Sequence, residues 1–299
     1  MTALKRMGVL AHPLRSQTAP VAEEIAGTLQ ARGIDTWVYS DWEEQDVTPD
    51  VETSDMVIAI GGDGAMLRAA RVCAPHGVPV LGVNMGKLGF LTEITRPNGW
   101  EKVLRQILDG DYWIEERMMI RASVVQAGQS VIAGDALNDV VITSGVLGGM
   151  LQLETYIDDD WATTYNADAL IIATATGSTA YALALGGPIL PPELRNILIV
   201  PAAAHLSMDR PIVLSEGATV DVLPISEAKR GIALTVDGVL LCQLGEDDRV
   251  RVQASEHSSR FVRLRTRNYF YRSLLDRLEP RILRPRPQTR KLSGEPGAD

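Results

Sequence analysis

Met56-Val57-Ile58-Ala59-Ile60 is an unbroken apolar run that ends in Gly61-Gly62-Asp63-Gly64 and then passes into a helix-forming stretch, Ala65-Met66-Leu67-Arg68-Ala69-Ala70-Arg71. A run this short and apolar throughout fits a strand buried on both faces, as in a parallel sheet covered by helices. The turn after it is mostly glycine, so main-chain N–H groups can approach a ligand with no Cβ in the way. The helix start that follows favours anions. The one functional side chain in the turn is a carboxylate. An acid inside an anion-binding turn suits a metal ion, or a hydroxyl that must be oriented or deprotonated, and together these point to phosphoryl transfer. A plain left-handed turn with a capping Asp63 is written with the same four letters, and short glycine motifs recur by chance.

The surrounding pattern extends the parallel-sheet reading. Met7–Ala11, Thr36–Tyr39, Met56–Ile60 and Val78–Val83 read as strands, and Val21–Arg32, the stretch after Gly64 and Trp100–Leu108 as helices. This alternation predicts an α/β, doubly wound first domain over residues 1–112. Ligands in such sheets bind beyond the carboxyl ends of the strands, where Gly61–Gly64 and Asn84–Leu91 both fall. From about Trp113 the rhythm becomes many short strands separated by turn residues, interrupted by one helical stretch at Ser178–Leu185. That predicts an all-β, sandwich-like second domain over residues 113–266. A helix over 269–278 is expected to pack back onto the first domain. Residues 284–299 are rich in Pro, Gly and charge and read as a disordered tail.

Net charge narrows the partners. The chain carries 29 basic and 38 acidic residues, a net charge of −9. Wide, non-specific nucleic-acid binding needs a basic field and is not expected here. Any phosphate site must be made locally, by amides, a metal or a few cations. Cys73 and Cys242 lie far apart and read as two reduced core thiols. No signal-peptide pattern and no apolar run near the ~18 residues of a membrane span are seen. A cytoplasmic protein without membrane association is expected.

Two further segments stand out. Asn84-Met85-Gly86-Lys87-Leu88-Gly89-Phe90-Leu91 follows a buried strand with an Asn, glycines and an apolar hook. It suits the wall of a ligand cleft, or equally a connection packing Phe90 and Leu91 into a domain interface. In Asp168–Tyr181 a strand runs into Thr174-Ala175-Thr176-Gly177-Ser178-Thr179 and then a helix. One hydroxyl is enough to cap a helix. The surplus here favours a ligand.

Taken in order, these segments resemble NAD kinase, which phosphorylates the adenosine-ribose 2′-hydroxyl of NAD. The resemblance runs through the Gly61–Gly64 turn, Asn84–Glu93, Ala136–Val141, Ala175–Leu190, His205–Leu214, Val236–Gly238 and Arg263–Leu278. Each motif alone is weak; the ordered set covers most of the chain. The resemblance implies ATP as phosphoryl donor, a divalent cation such as Mg²⁺, and a homodimer or homotetramer with the β domain at its interface. It implies that Asp63 orients the 2′-hydroxyl and takes its proton, or else holds the metal. Gly61, Gly62 and Gly64 would present amides to phosphates. Asn138 and Asp139 would hydrogen-bond NAD, Asp168 its nicotinamide amide, and Thr176, Thr179, Ala180 and Tyr181 its adenosine end, with Phe90 an apolar face. Neither a P-loop nor a Gly-x-Gly-x-x-Gly fingerprint is present, which argues against a P-loop NTPase or a Rossmann dehydrogenase.

The chain departs from the family's usual residues at Ala65, Asp139, Ala169, Ala175, Gly149, Val239 and Ala202–Ala204. Several of these trim polar groups expected to touch NAD. Two other readings remain open on the sequence: a diacylglycerol- or sphingosine-type lipid kinase, which shares the Gly-Gly-Asp-Gly turn, and a diverged, non-catalytic dinucleotide-binding protein.

Overall fold

A computed structural model describes residues 4–86, 89–94, 100–126, 128–144, 149–225, 231–245, 248–267, 269–271 and 274. The first part runs β1 (Arg6–Ala11), α1 (Ala19–Gln30), β2 (Asp35–Tyr39), α2 (Glu44–Glu52), β3 (Met56–Gly61), α3 (Asp63–Cys73), β4 (Val80–Asn84) and α4 (Trp100–Leu108). The four strands pair in parallel in the order β2-β1-β3-β4. β3 and β4 are buried along their whole length, as their apolar sequences require. One face carries Met7, Val9, Ile58, Ile60 and Leu81 under α1 and α4, through Ala22, Ile25, Ala26, Leu29, Leu104 and Ile107. The other carries Leu10, Val57, Ala59 and Val80 under α2 and α3, through Val47, Val51, Met66, Ala69 and Ala70. The sheet is thus doubly wound. α2 was not expected: its Pro49 and its acids hide a short amphipathic turn whose N-terminus is closed by a reciprocal Glu43–Asp46 capping box.

After α4 the chain builds antiparallel sheet. The strands are β5 (Trp113–Gln126), β6 (Gln129–Ala136), β7 (Asp139–Ser144), β8 (Leu151–Ile157), β9 (Asp160–Ala167) and β10 (Ala169–Thr174). A single helical turn follows, α5 (Tyr181–Ala184), then β11 (Asn196–Ala202), β12 (Ile212–Ser215), β13 (Val220–Pro224), β14 (Ile232–Val236), β15 (Val239–Leu244) and β16 (Arg249–Arg263). β12-β11-β10-β7-β14-β15 form one sheet. Its inner face meets the strands of the other sheet over Ile120, Val140, Leu153, Ile172, Ile199, Val222 and Val252, giving the expected sandwich core.

β16 is longer than the short-strand pattern of this half suggests. It pairs with β5 from Arg249 to Arg263, absorbs a register shift between Ala254 and Ser258, and meets β4 in parallel at Phe261↔Val80. Through it the parallel strands and half of the antiparallel strands form one ten-stranded sheet. Residues 1–265 make one compact unit. In the second unit, residues 266–299, positions 269–271 and 274 are helical. The rest of the helix expected over 269–278, and all of 284–299, lie outside the described residues.

Candidate functional site

β3 ends at Gly61, and α3 begins at Asp63 with Gly62 as its extended N-cap residue. Asp63 is the first residue of α3 and not its N-cap. Its carboxylate instead reaches the segment after β4. Oδ2 accepts the main-chain N–H of Phe90 at 2.7 Å and Oδ1 that of Leu91 at 2.9 Å. The fit leaves no room at the neighbouring residue: a Cβ on Gly89 would lie 2.0 Å from Asp63 Oδ1. The simple capping reading of the turn therefore fails. Cβ atoms on Gly62 and Gly64 would meet nothing within 4 Å, so these glycines face open space. Ala65 N–H donates to the Gly62 carbonyl at 3.0 Å; the N–H groups of Asp63 and Gly64 precede the first bonds of the helix, which suits an anion placed there.

A second carboxylate organises a second turn. Asp237 sits at the tip of the β14–β15 hairpin, with φ of 48° followed by 76° at Gly238, a two-residue Asp-Gly turn. Its carboxylate accepts the N–H groups of Leu137, Asn138 and Asp139 at 2.9, 2.7 and 3.2 Å. Asp139 is buried next to it. Burial, and then the negative charge of Asp237, push the Asp139 carboxyl up to about 7. Burial also raises Asp237, against the pull of its three amides.

The Thr174–Thr179 turn packs directly on Asn138. Thr174 N–H donates to the Asn138 carbonyl at 2.9 Å, and a Cβ on Gly177 would come within 2.0 Å of that same oxygen. The surplus hydroxyls all have protein partners. Thr174 Oγ1 donates to the Leu137 carbonyl at 2.5 Å and accepts Gly177 N–H at 3.1 Å. Ser178 Oγ bridges the Ala175 carbonyl at 2.7 Å and the Leu190 N–H at 2.9 Å. Thr179 Oγ1 donates to the Thr176 carbonyl, and Thr176 Oγ1 accepts from Arg117 at 3.4 Å. Each hydroxyl still has acceptor capacity, but the turn is self-supporting and does not depend on a ligand. Thr179 and Ala180 are half-buried and Tyr181 is exposed.

A cleft of about 380 Å³ joins the first turn to the second, lined by Gly64, Leu67, Arg71, Asp237 and Val239 among others. It is also lined by His12, Trp42 and Arg68, which the sequence reading did not single out. The position of His12 just past the end of β1 was the available signal, since strand ends in such a sheet face the ligand. Burial, with Arg15 and Arg68 nearby, lowers the His12 pKa. Asp168 is not brought to this cluster. It is exposed at the opposite end of β10 from the Thr174 turn, about 20 Å away along the strand. No group of three or more His, Cys, Asp or Glu side chains suited to a metal ion occurs among the described residues. No helix among them is long and apolar enough to cross a membrane.

Comparison with known proteins bears on both halves. Residues 7–112 match the ATP-NAD kinase N-terminal domain and residues 137–264 the ATP-NAD kinase C-terminal domain. An NAD kinase of Chloroflexus aurantiacus is 42% identical over 275 residues, 92% of this chain and 99% of that one. One of Geotalea daltonii is 37% identical over 276 residues, covering 89% and 96%. Among solved structures, yeast NADH kinase complexed with NADH superposes with a TM-score of 0.82 at 23% identity, over 93% of this chain and 88% of that one. An NAD kinase from Archaeoglobus fulgidus in complex with ATP gives 0.70 at 22%, over 89% and 96%. At those identities the two structures speak for the fold alone.

Proposed function

The chain belongs to the ATP-NAD kinase family and is a phosphotransferase acting on NAD with ATP as donor, and from that premise we propose how its own residues do the work. The lipid-kinase and non-catalytic readings find no support in these relatives. The observation that carries the proposal is the carboxylate of Asp63, held by the Phe90 and Leu91 amides beside Gly62 and Gly64, which face open space.

Phosphoryl transfer passes through a loose transition state, so placement and charge neutralisation carry most of the catalysis. Asp63 accepts the proton of the adenosine-ribose 2′-hydroxyl and aims its oxygen at the γ-phosphorus. With one N–H on each oxygen, the carboxylate cannot swing, and its remaining lone pairs are left for the substrate. Gly61, Gly62 and Gly64, with the α3 N-terminus, receive the phosphates. Asn138 and Asp139 bind hydroxyl or amide groups of NAD, and Thr176, Thr179, Ala180 and Tyr181 its adenosine end, with Phe90 offering an apolar face. The assignment of Asp168 to the nicotinamide amide requires the dinucleotide to extend along β10. A Mg²⁺ arriving with ATP would supply positive charge to neutralise the phosphates, beside the Asp63 carboxylate. With no group of three or more His, Cys, Asp or Glu side chains suited to a metal among the described residues, such an ion would be held mainly by phosphate and water, with Asp63 able to contribute a carboxylate.

The same proposal covers organisation and setting. Residues 1–112 form the nucleotide domain and 113–266 the NAD-binding domain. Exposed Trp161, Val131 and Val213 on the β strands supply apolar surface for a homodimer or homotetramer, which light scattering on an eluting peak would report directly. The setting is cytoplasmic, where ATP and NAD are both at hand.

The test is incubation with NAD, ATP and Mg²⁺ followed by an NADP-specific enzymatic readout. NADP formation that is lost on chelation and in Asp63→Asn is expected. An Asp63→Asn protein that keeps near-normal turnover overturns the role of this carboxylate.

A further inference from the structure

Behind the Asp63 fork lies a buried chain of charges that the mechanism above does not use. Arg263, at the end of β16, is completely buried and donates from Nη1 to the Leu91 carbonyl at 2.8 Å. Leu91 is the residue whose N–H holds Asp63 Oδ1. Arg263 Nε donates to Glu115 Oε2 at 2.8 Å, and the same oxygen accepts Arg117 Nε at 3.0 Å. Arg117 in turn donates to Thr176 Oγ1 at 3.4 Å. Both guanidiniums lie over the Phe261 ring, at 5.2 and 5.3 Å. The far end of the Leu91 segment is fixed as well: Glu93 Oε1 accepts the N–H groups of Leu264 and Arg265 at 2.9 and 2.8 Å.

Burying these ions is expensive, and a well-packed apolar cluster of the same volume commonly stabilises a core as well or better. Stability is thus a poor account of why guanidinium and carboxylate groups sit here. Geometry gives a better one. The planar guanidinium of Arg263 offers donors in fixed directions, so it can hold a carbonyl and a carboxylate at once, which an ammonium cannot do with the same rigidity. The chain it starts runs without a break from the loop that grips Asp63 to the turn proposed to receive adenosine.

We propose that Arg263 is a positioning residue for phosphoryl transfer: with Glu115 and Arg117 it fixes the Phe90–Leu91 amides on Asp63 and ties their position to that of the Thr176 turn. The proposal rests on the catalytic role given to Asp63 above. Arg263 touches no substrate. It sets where the carboxylate stands relative to the adenosine end of NAD, so it governs the approach of the 2′-hydroxyl to phosphorus and not the binding of either substrate.

The test is a double-mutant cycle on the full-length chain, with kcat and KM for NAD measured at saturating ATP and Mg²⁺. Arg263→Lys keeps the charge beside Glu115 and loses the fork. Misplacing a reacting group by about 1 Å can cost ~10²-fold in rate, so kcat is expected to fall by about 10- to 100-fold while KM for NAD moves less than about threefold. On an Asp63→Asn background, Arg263→Lys is expected to cost less than about threefold, because the group it positions is already gone. A merely structural arginine would cost the same on both backgrounds, or would raise KM in step with the fall in kcat, and either result overturns the proposal. If Asp63→Asn alone keeps its activity, the reading of Asp63 has failed whatever Arg263 does, so the two failures are told apart. Should Arg263→Lys fail to fold, judged by circular dichroism, the same cycle is run with Glu115→Gln, which keeps the side-chain shape. A loss that vanishes on the Asp63→Asn background supports the proposal, and an undiminished loss or no loss at all overturns it.

Discussion

Asp237 accepts the main-chain N–H of Asp139 at 3.2 Å while its negative charge acts on the Asp139 carboxyl, which burial and that charge together push up to about 7. One carboxylate thus builds the turn on which a second is kept partly protonated near neutral pH. A protonated Asp139 can donate a hydrogen bond as well as accept one, so in the proposed NAD-binding role it would offer a hydroxyl either partner.

The first prediction concerns pH and stability. The folded pKa of Asp139 lies above its ordinary value of 3.8. Its contribution to stability is therefore complete below about pH 4 and is lost as pH rises through 7. At about 1.36 kcal/mol per unit, the loss is at most on the order of 4 kcal/mol. Without ligand, Asp139→Asn should flatten the pH dependence of the thermal midpoint between pH 5 and 8 relative to the parent chain. Parallel slopes in the two proteins would show that Asp139 does not titrate in this range.

Asp63→Asn keeps the size of the side chain and removes its basicity. Turnover should fall by something like the ~10²–10⁴ of general base catalysis, with NAD affinity nearly unchanged. Single-turnover kinetics beside calorimetric titration of NAD separates the two quantities.

Two glycines near Asp63 should respond in opposite ways to alanine. Gly89→Ala puts a methyl 2.0 Å from Asp63 Oδ1, so the carboxylate must leave its fork; turnover should fall by about 10²-fold. Gly62→Ala meets nothing within 4 Å and has φ of −118°, so folding should change by no more than about 0.5 kcal/mol. On the proposed role of Gly62, the added methyl would enter the space of the phosphates, and KM for ATP should rise. Urea melts and a KM series on the two variants read these effects apart.

Thr174→Val is isosteric but cuts the links to the Leu137 carbonyl and the Gly177 N–H, both buried. The loss should be about 2–3 kcal/mol by chemical denaturation. A smaller change would mean that the two turns hold together without this hydroxyl.

Much of this was legible in the letters. β1, β3, β4, α1 and α4 follow from apolar runs and helical spacing, because burial on both faces or on one stripe leaves a plain periodic trace. β9 was not expected: its residues Asp160-Trp161-Ala162-Thr163-Thr164 are mostly polar and none is buried, and the strand exists because the Asp158-Asp159 turn, with φ of 52° and 67°, folds it back on β8 at the sheet edge. The helix expected at Ser178–Leu185 shrinks to a 3-10 turn and a single α turn, since Thr174, Ser178 and Thr179 divert main-chain groups into local bonds. At the site, Asp63 was visible because glycine surrounds it. Asp237 was visible only within the Val236–Gly238 segment of the resemblance, which gave it no role. The pairing of Arg263 with Glu115 spans 148 residues and leaves no local pattern.

The shared strand β16 has a consequence for anyone who cuts the gene. Its Phe261 lies beside Val80, and Phe261 and Val262 enter the two apolar layers that flank the parallel strands. A fragment stopping at residue 112 would lose those plugs and leave the β4 border bare. Such a border invites pairing with neighbouring copies, so the piece should precipitate alone and regain solubility when the remainder is supplied in trans.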